Sequence, residues 1–211
     1  LIVLTGPAAE PDTEWGEDDG LAMLKQLSPL NRRAVTVCAG GGHRRLIERG
    51  VAETSLSRQR LIGSAPLALQ TALRAIIAVE LRCSAKDVSL AVLGAPPDRF
   101  VVPWSETSVR GVAISRLLSS KQLSLLQRKL VRIWPPGPYT LAAATAQLCE
   151  SVLQGTGIYG ITCYAVLDGE FGVRGKAIAT AVTLDTSGIT SVTEPTLNVR
   201  EQVELDNALH G

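Results

Sequence analysis

The side chains able to exchange protons near neutral pH are few. His43 stands near the front of the chain and His210 beside its end, with no second imidazole near either, so no metal site is expected. Cys38, Cys83, Cys149 and Cys163 lie far apart inside apolar stretches. Without a C-x-x-C pair they read as buried thiols rather than zinc ligands or redox partners. The run Gly40-Gly41-Gly42-His43-Arg44-Arg45 could hold a phosphate between backbone amides and two guanidiniums. It has Arg45 where a dinucleotide fingerprint needs its third glycine, and no Lys-Ser/Thr, so it reads as a β-to-α turn. Asp168-Gly169-Glu170 looks like a pair of carboxylates for acid–base work, but between two β runs it reads as turn chemistry.

Two charged blocks stand out against a formal net charge of only +1. Glu10, Asp12, Glu14, Glu17, Asp18 and Asp19 crowd one loop, while Arg110, Arg116, Lys121, Arg128, Lys129 and Arg132 have no acid among them. The basic block could meet phosphate or RNA, and the acidic loop is its natural complement. With 45% hydrophobic and 19% charged residues the chain has the composition of a globular protein able to bury a core. No apolar run nears the roughly 20 residues of a membrane span, and an intracellular site, cytoplasm or organelle matrix, is expected.

The elements that must position these groups fall into two styles. Leu1–Thr5 and Ala34–Ala39 read as buried strands, Gly20–Leu27 and His43–Gly50 as helices, and Arg60–Gly63 as a third short strand. Pro66 opens a long helix to Arg82, with Leu69, Leu73, Ile77 and Leu81 on one side. That order is α/β with parallel strands. Beyond it, Val88–Leu93 reads as a strand, while 119–133 and 139–154 read as helices. Three β runs from Gly160 then form an antiparallel meander, and Asn198 caps a last helix with Glu201 as its capping-box partner.

Four segments carry a resemblance: R-L-I-G-S-A-P-L-A-L-Q-T-A-L-R (60–74), V-L-G-A-P-P-D-R-F-V-V-P-W-S (92–105), G-P-Y-T-L-A-A-A (137–144) and L-D-G-E-F-G (167–172). Together they resemble the lactate/malate dehydrogenase family, nearly from end to end. The resemblance implies an incomplete Rossmann-type parallel sheet over residues 1–63, then the family's α+β C-terminal domain with its antiparallel meander over 64–211. It places Leu1–Thr5 at the family's fourth strand, so the opening βαβ unit with its G-x-G-x-x-G turn is expected to have no counterpart.

The family's reaction needs a histidine to move the hydroxyl proton, an aspartate to orient it and arginines to clamp a carboxylate. At the matching positions stand Pro96 for the histidine, Leu69 for the aspartate, Ala72 for the clamping arginine and Ala39 for the asparagine of the T-N-P-V-D turn. Proline carries no proton to give. Arg74 lies two residues past Ala72, about 200° around a helix, and so faces elsewhere. Tyr139 stands where the family has a small hydroxyl residue, and the loop from Pro7 to Asp19 has no arginine.

These substitutions lead to the expectation of a non-catalytic, dehydrogenase-like pseudoenzyme, with no cofactor, serving as a structural or scaffold subunit in a complex or homo-oligomer. The alternatives are an NAD-dependent malate or lactate dehydrogenase and a phosphate- or RNA-binding module.

Overall fold

In the first part of the chain strands and helices alternate: β1 (Ile2–Leu4), α1 (Glu17–Leu27), β2 (Thr36–Cys38), α2 (Arg44–Glu53), β3 (Leu61–Gly63) and α3 (Ala65–Leu81). The structure, a computed structural model, describes residues 1–6, 15–96, 99–130, 133–155 and 158–210. β1 to β3 pair in parallel, in the register Val3, Val37, Ile62. All three residues of β2 and of β3 are buried, as strands covered on both faces must be. Below the sheet, Leu4, Cys38 and Leu61 pack on Leu21 and Leu24 of α1 and on Leu46 and Ile47 of α2. The opposite face, through Val37 and Ile62, meets a different helix.

The next stretch runs β4 (Val88–Ser89), β5 (Leu93–Ala95), β6 (Arg99–Val101), β7 (Ser108–Val109), β8 (Val112–Ala113), α4 (Ile114–Leu117) and α5 (Ser120–Leu130). The single strand expected over Val88–Leu93 is therefore two. β4 joins β7 and β8 in a small sheet and β5 joins the main one, with the chain crossing between them where the buried Gln70 amide donates to the Leu90 carbonyl. Gly94 makes the β5–β6 hairpin possible: at φ 100° a side chain there would be strained, and a Cβ would sit 2.7 Å from the Arg99 carbonyl oxygen.

The remainder is α6 (Pro138–Gln154), β9 (Ile158–Asp168), β10 (Arg174–Asp185), β11 (Gly188–Thr193) and α7 (Val199–His210). α6 is the helix on the far face, setting Ala144, Leu148 and Val152 against Val37, Ile62 and Cys163. Proline in its first turn and Gly155 in the left-handed conformation past its end fix where it starts and stops.

β9, β10 and β11 are the expected meander, and the main sheet runs β1-β2-β3-β9-β10-β5-β6 with β11 also on β10. Gly63 pairs with Tyr164 and joins the parallel half to the antiparallel one. A Cβ at Gly63 would lie 2.6 Å from Ile47 and 3.0 Å from the Tyr164 ring, so the join demands glycine. α7 closes the third cluster, Leu205 and Leu209 against Leu93 and Ile178. Its start is the expected capping box. Asn198 Oδ1 accepts from the Glu201 amide at 2.9 Å, and the buried Glu201 carboxylate accepts from the Asn198 and Ser105 amides at 3.2 and 2.9 Å. Among the described residues no helix is long and apolar enough to cross a membrane.

Candidate functional site

Parallel strands end where ligands of open α/β sheets bind, in the crevice beyond their carboxyl ends. Here β1 runs into Thr5 and Gly6 and β2 into Ala39 and Gly40, and α6 crosses in front of both ends. The space between is a cavity of about 500 Å³ walled by Val3, Leu141, Ala142, Ala146 and Cys149. No charged side chain stands among its described lining residues. Burial is the main cause that pushes the Cys149 thiol above its ordinary value, so it is protonated at neutral pH. The Thr145 hydroxyl is already committed, donating to Ser64 Oγ at 2.8 Å. What the cavity offers is a mostly apolar surface, with the exposed Thr5 among its lining residues.

Behind that cavity, the turn after β2 is held by His43. The Gly40 amide donates to His43 Nδ1 at 3.0 Å, which fixes the neutral ring with its proton on Nε2. The imidazole is 1% exposed, and a Cβ on Gly40 would come 2.5 Å from it. The glycine run is thus the β-to-α turn expected, braced by an imidazole rather than shaped around a phosphate.

Beyond this turn α2 begins, and Arg44, Arg45 and Glu48 line a second cavity of about 630 Å³ with Arg99 of β6 and Lys176 of β10. The two cavities have no lining residue in common. Sequence reasoning named Ala39, Gly40, Arg44 and Arg45 but neither cavity, because each is closed by elements remote in the chain.

The four positions assigned to chemistry do not meet in one pocket. Ala39 lines the apolar cavity and Pro96 the basic one. Leu69 is fully buried in the core, and Ala72 is half-buried and lines neither cavity. Pro96 is buried and takes a hydrogen bond on its carbonyl from the Tyr164 hydroxyl at 3.2 Å, a structural role; burial also raises the pKa of that hydroxyl. Arg74 buries its Nε with no hydrogen-bond partner among the described residues, and desolvation pulls its pKa down. Tyr139, expected to crowd the pocket, is 90% exposed.

The charged blocks also resolve. Arg110 is paired with Asp87 at 2.8 Å, so the basic block has an acid in space that it lacks in sequence. Arg116, Lys121 and Arg128 are exposed; the Lys129 side chain and Arg132 lie outside the described residues. Of the acidic loop, Glu17 and Asp18 reach Arg49 of α2 at 3.3 and 2.6 Å rather than the basic block, and Glu10, Asp12 and Glu14 lie outside the described residues. Glu170 sits in its turn, accepting from the Asp168 amide at 2.6 Å and from Arg58 at 2.9 Å. Burial works to raise its pKa, but these bonds hold it below the usual carboxylate range.

No family model matches the chain. Among known proteins it is similar to the malate dehydrogenase of Chlorobium phaeobacteroides, 28% identical over 168 residues covering 75% of this chain and 53% of that protein. The malate dehydrogenase of Rhodopirellula baltica is 24% identical, covering 99% of this chain and 71% of its own length. L-lactate dehydrogenase 2 of Listeria innocua is 25% identical, covering 74% and 53%. The solved malate dehydrogenase from Aeropyrum pernix superposes with a TM-score of 0.85 at 19% identity, over 92% of this chain and 67% of that one. The minor L-lactate dehydrogenase from Enterococcus mundtii gives 0.84 at 19%, over 98% and 72%. The chain is related to the lactate/malate dehydrogenase family.

The relationship confirms the α/β fold with its parallel and antiparallel parts. The chain spans about half the length of the first of these relatives, 53%. The expectation of a non-catalytic scaffold subunit is corrected: the relatives carry the names of malate and lactate dehydrogenases, and nothing in the comparisons supports a scaffold role. That expectation rests on the substituted positions, Tyr139, the loop without arginine and the opening unit expected to have no counterpart.

Proposed function

We propose that the chain belongs to an NAD-dependent oxidoreductase of the malate or lactate dehydrogenase type. The observation that carries the reading is the apolar cavity at the carboxyl ends of β1 and β2, in a chain whose relatives bear dehydrogenase names. The lining fits the nicotinamide end of such a cofactor. Val3, Leu141 and Ala142 would cover a planar ring, with the backbone of Gly6 and Gly40 at the strand ends beside it. When bound, NAD supplies the hydride chemistry. The chain's own residues exclude water with these apolar walls and present the Thr5 hydroxyl at the rim.

With Pro96, Leu69, Ala72 and Ala39 at the inherited positions, proton exchange and carboxylate binding fall to residues outside this lining. In the same proposal residues 1–63 serve the cofactor side and 64–211 the substrate side, in an intracellular compartment. The test is NADH titration of the full-length protein, with reduction of oxaloacetate and pyruvate followed by loss of NADH absorbance. Saturable binding and acid-dependent NADH loss are expected; no binding and no loss above a protein-free blank would refute the reading.

A further inference from the structure

The second cavity gathers cationic side chains among its described lining residues. There four cations, Arg44, Arg45, Arg99 and Lys176, face one carboxylate, Glu48. That carboxylate is already committed, since Glu48 Oε1 accepts from Arg44 at 2.7 Å and from the Ala177 amide at 3.0 Å. Arg45 and Arg99 are exposed and have no ion-pair partner among the described residues. The Lys176 ammonium donates to the Leu209 carbonyl at 2.9 Å, which anchors it at the cavity edge with its charge intact and protons to spare.

The backbone adds to this field. α2 starts beside the cavity with no acid in its first turn and no side-chain hydrogen bond from its N-cap residue, so its own first turn does not offset the positive end of its dipole. Arg44 and Arg45 in that same turn oppose the dipole, a placement that a helix chosen for stability alone would avoid. The cost falls away when an anion sits between them.

We propose that this cleft between α2, β6, β10 and α7 binds a small molecule bearing a phosphate or pyrophosphate group. Its volume, about 630 Å³, suits a metabolite-sized ligand rather than a polymer. Guanidiniums from two separate elements can each present two parallel N–H donors, the geometry that matches phosphate oxygens. Ala95, Pro96 and Ile178 give an apolar wall for the remainder of the ligand. The site shares no lining residue with the apolar cavity, although Pro96, at the inherited histidine position, is on its wall.

The experiment is calorimetric titration of the full-length protein with inorganic pyrophosphate and, separately, inorganic phosphate, at low and at moderate salt. One saturable site is expected, weakening with salt and losing at least ten-fold in affinity in Arg45→Gln and in Arg99→Gln. Arg116→Gln, an exposed arginine outside the cleft, should bind as the parent does. Pyrophosphate should raise the Tm of the parent and not of the two cleft variants, whose unliganded circular dichroism and Tm report that they fold. No saturable binding of either anion, equal loss in Arg116→Gln, or no loss in the cleft variants would overturn the proposal. Succinate binding as tightly as pyrophosphate would overturn the phosphate class, and NADH titration of the same variants keeps the outcome separate from the proposed activity.

Discussion

Two cavities begin within five residues of one another on the same turn, and they are opposites. Gly40 lines one, walled by alanines, leucine and valine; Arg44 lines the other, ringed by cations. The apolar cavity opens where β1 and β2 end, on the side covered by α6, while the basic one opens where α2 starts, between α2, β6, β10 and α7. The difference teaches that a strand-turn-helix unit makes two surfaces. The strand end gives a slot for an uncharged ring, and the helix start gives a field for an anion. In this chain the inherited chemical positions are divided between those surfaces, Ala39 on the first and Pro96 on the second.

The sharpest way to break the comparison is at the residue they share a turn through. Gly40→Ala puts a methyl against the buried His43 ring, and the ring must move or the turn must open. Overpacking of this kind costs about 2 kcal/mol, and urea unfolding should show it, together with weaker NADH and pyrophosphate binding. Ala142→Trp should separate the two surfaces instead. Ala142 is exposed on α6, so the indole fills the apolar cavity without disturbing the core; NADH affinity is expected to fall at least ten-fold while pyrophosphate binding holds.

A third change asks whether every cation here serves a ligand. Arg74 has a half-exposed side chain whose Nε is buried and unpartnered among the described residues. Arg74→Met should leave both ligands bound as before and keep or raise stability by up to about 1 kcal/mol, read from the urea midpoint. The smallest effect is a rate. Burial pushes the Cys38 and Cys163 thiols up to about 12, so neither should react with iodoacetamide at pH 8 in the folded protein. Cys149, raised less and half-buried on the cavity wall, should react faster as pH rises, because only the thiolate attacks, and NADH should slow it.

Much of the fold was legible in sequence because local signals agreed with burial. Pro66 opens a helix, the helix expected over 139–154 is there with Pro138 as its first residue, and the apolar runs at 36–38 and 61–63 are the buried parallel strands. Asn198 and Glu201 meet as the capping box requires. The short pairs β6, β7 and β8 were missed: strands of two or three residues carry too little alternation to register, and their pairing is decided by neighbours remote in the chain. The candidate site was legible only in part. Gly40 and Arg45 stood out, but the partners that turn them into cavities, Leu141 and Cys149 for one and Arg99 and Lys176 for the other, come from distant elements. Asp87 beside Arg110 shows the same limit, since a block without acids in sequence found one through a turn 23 residues away.

The central claim is that the slot before β1 and β2 receives the nicotinamide end of NAD. NADH titration of the full-length protein, followed by the fluorescence of the bound reduced ring, tests it most directly. A saturable signal in the parent that Ala142→Trp reduces at least ten-fold is the result expected. No saturable signal, or equal binding in parent and variant, would contradict it.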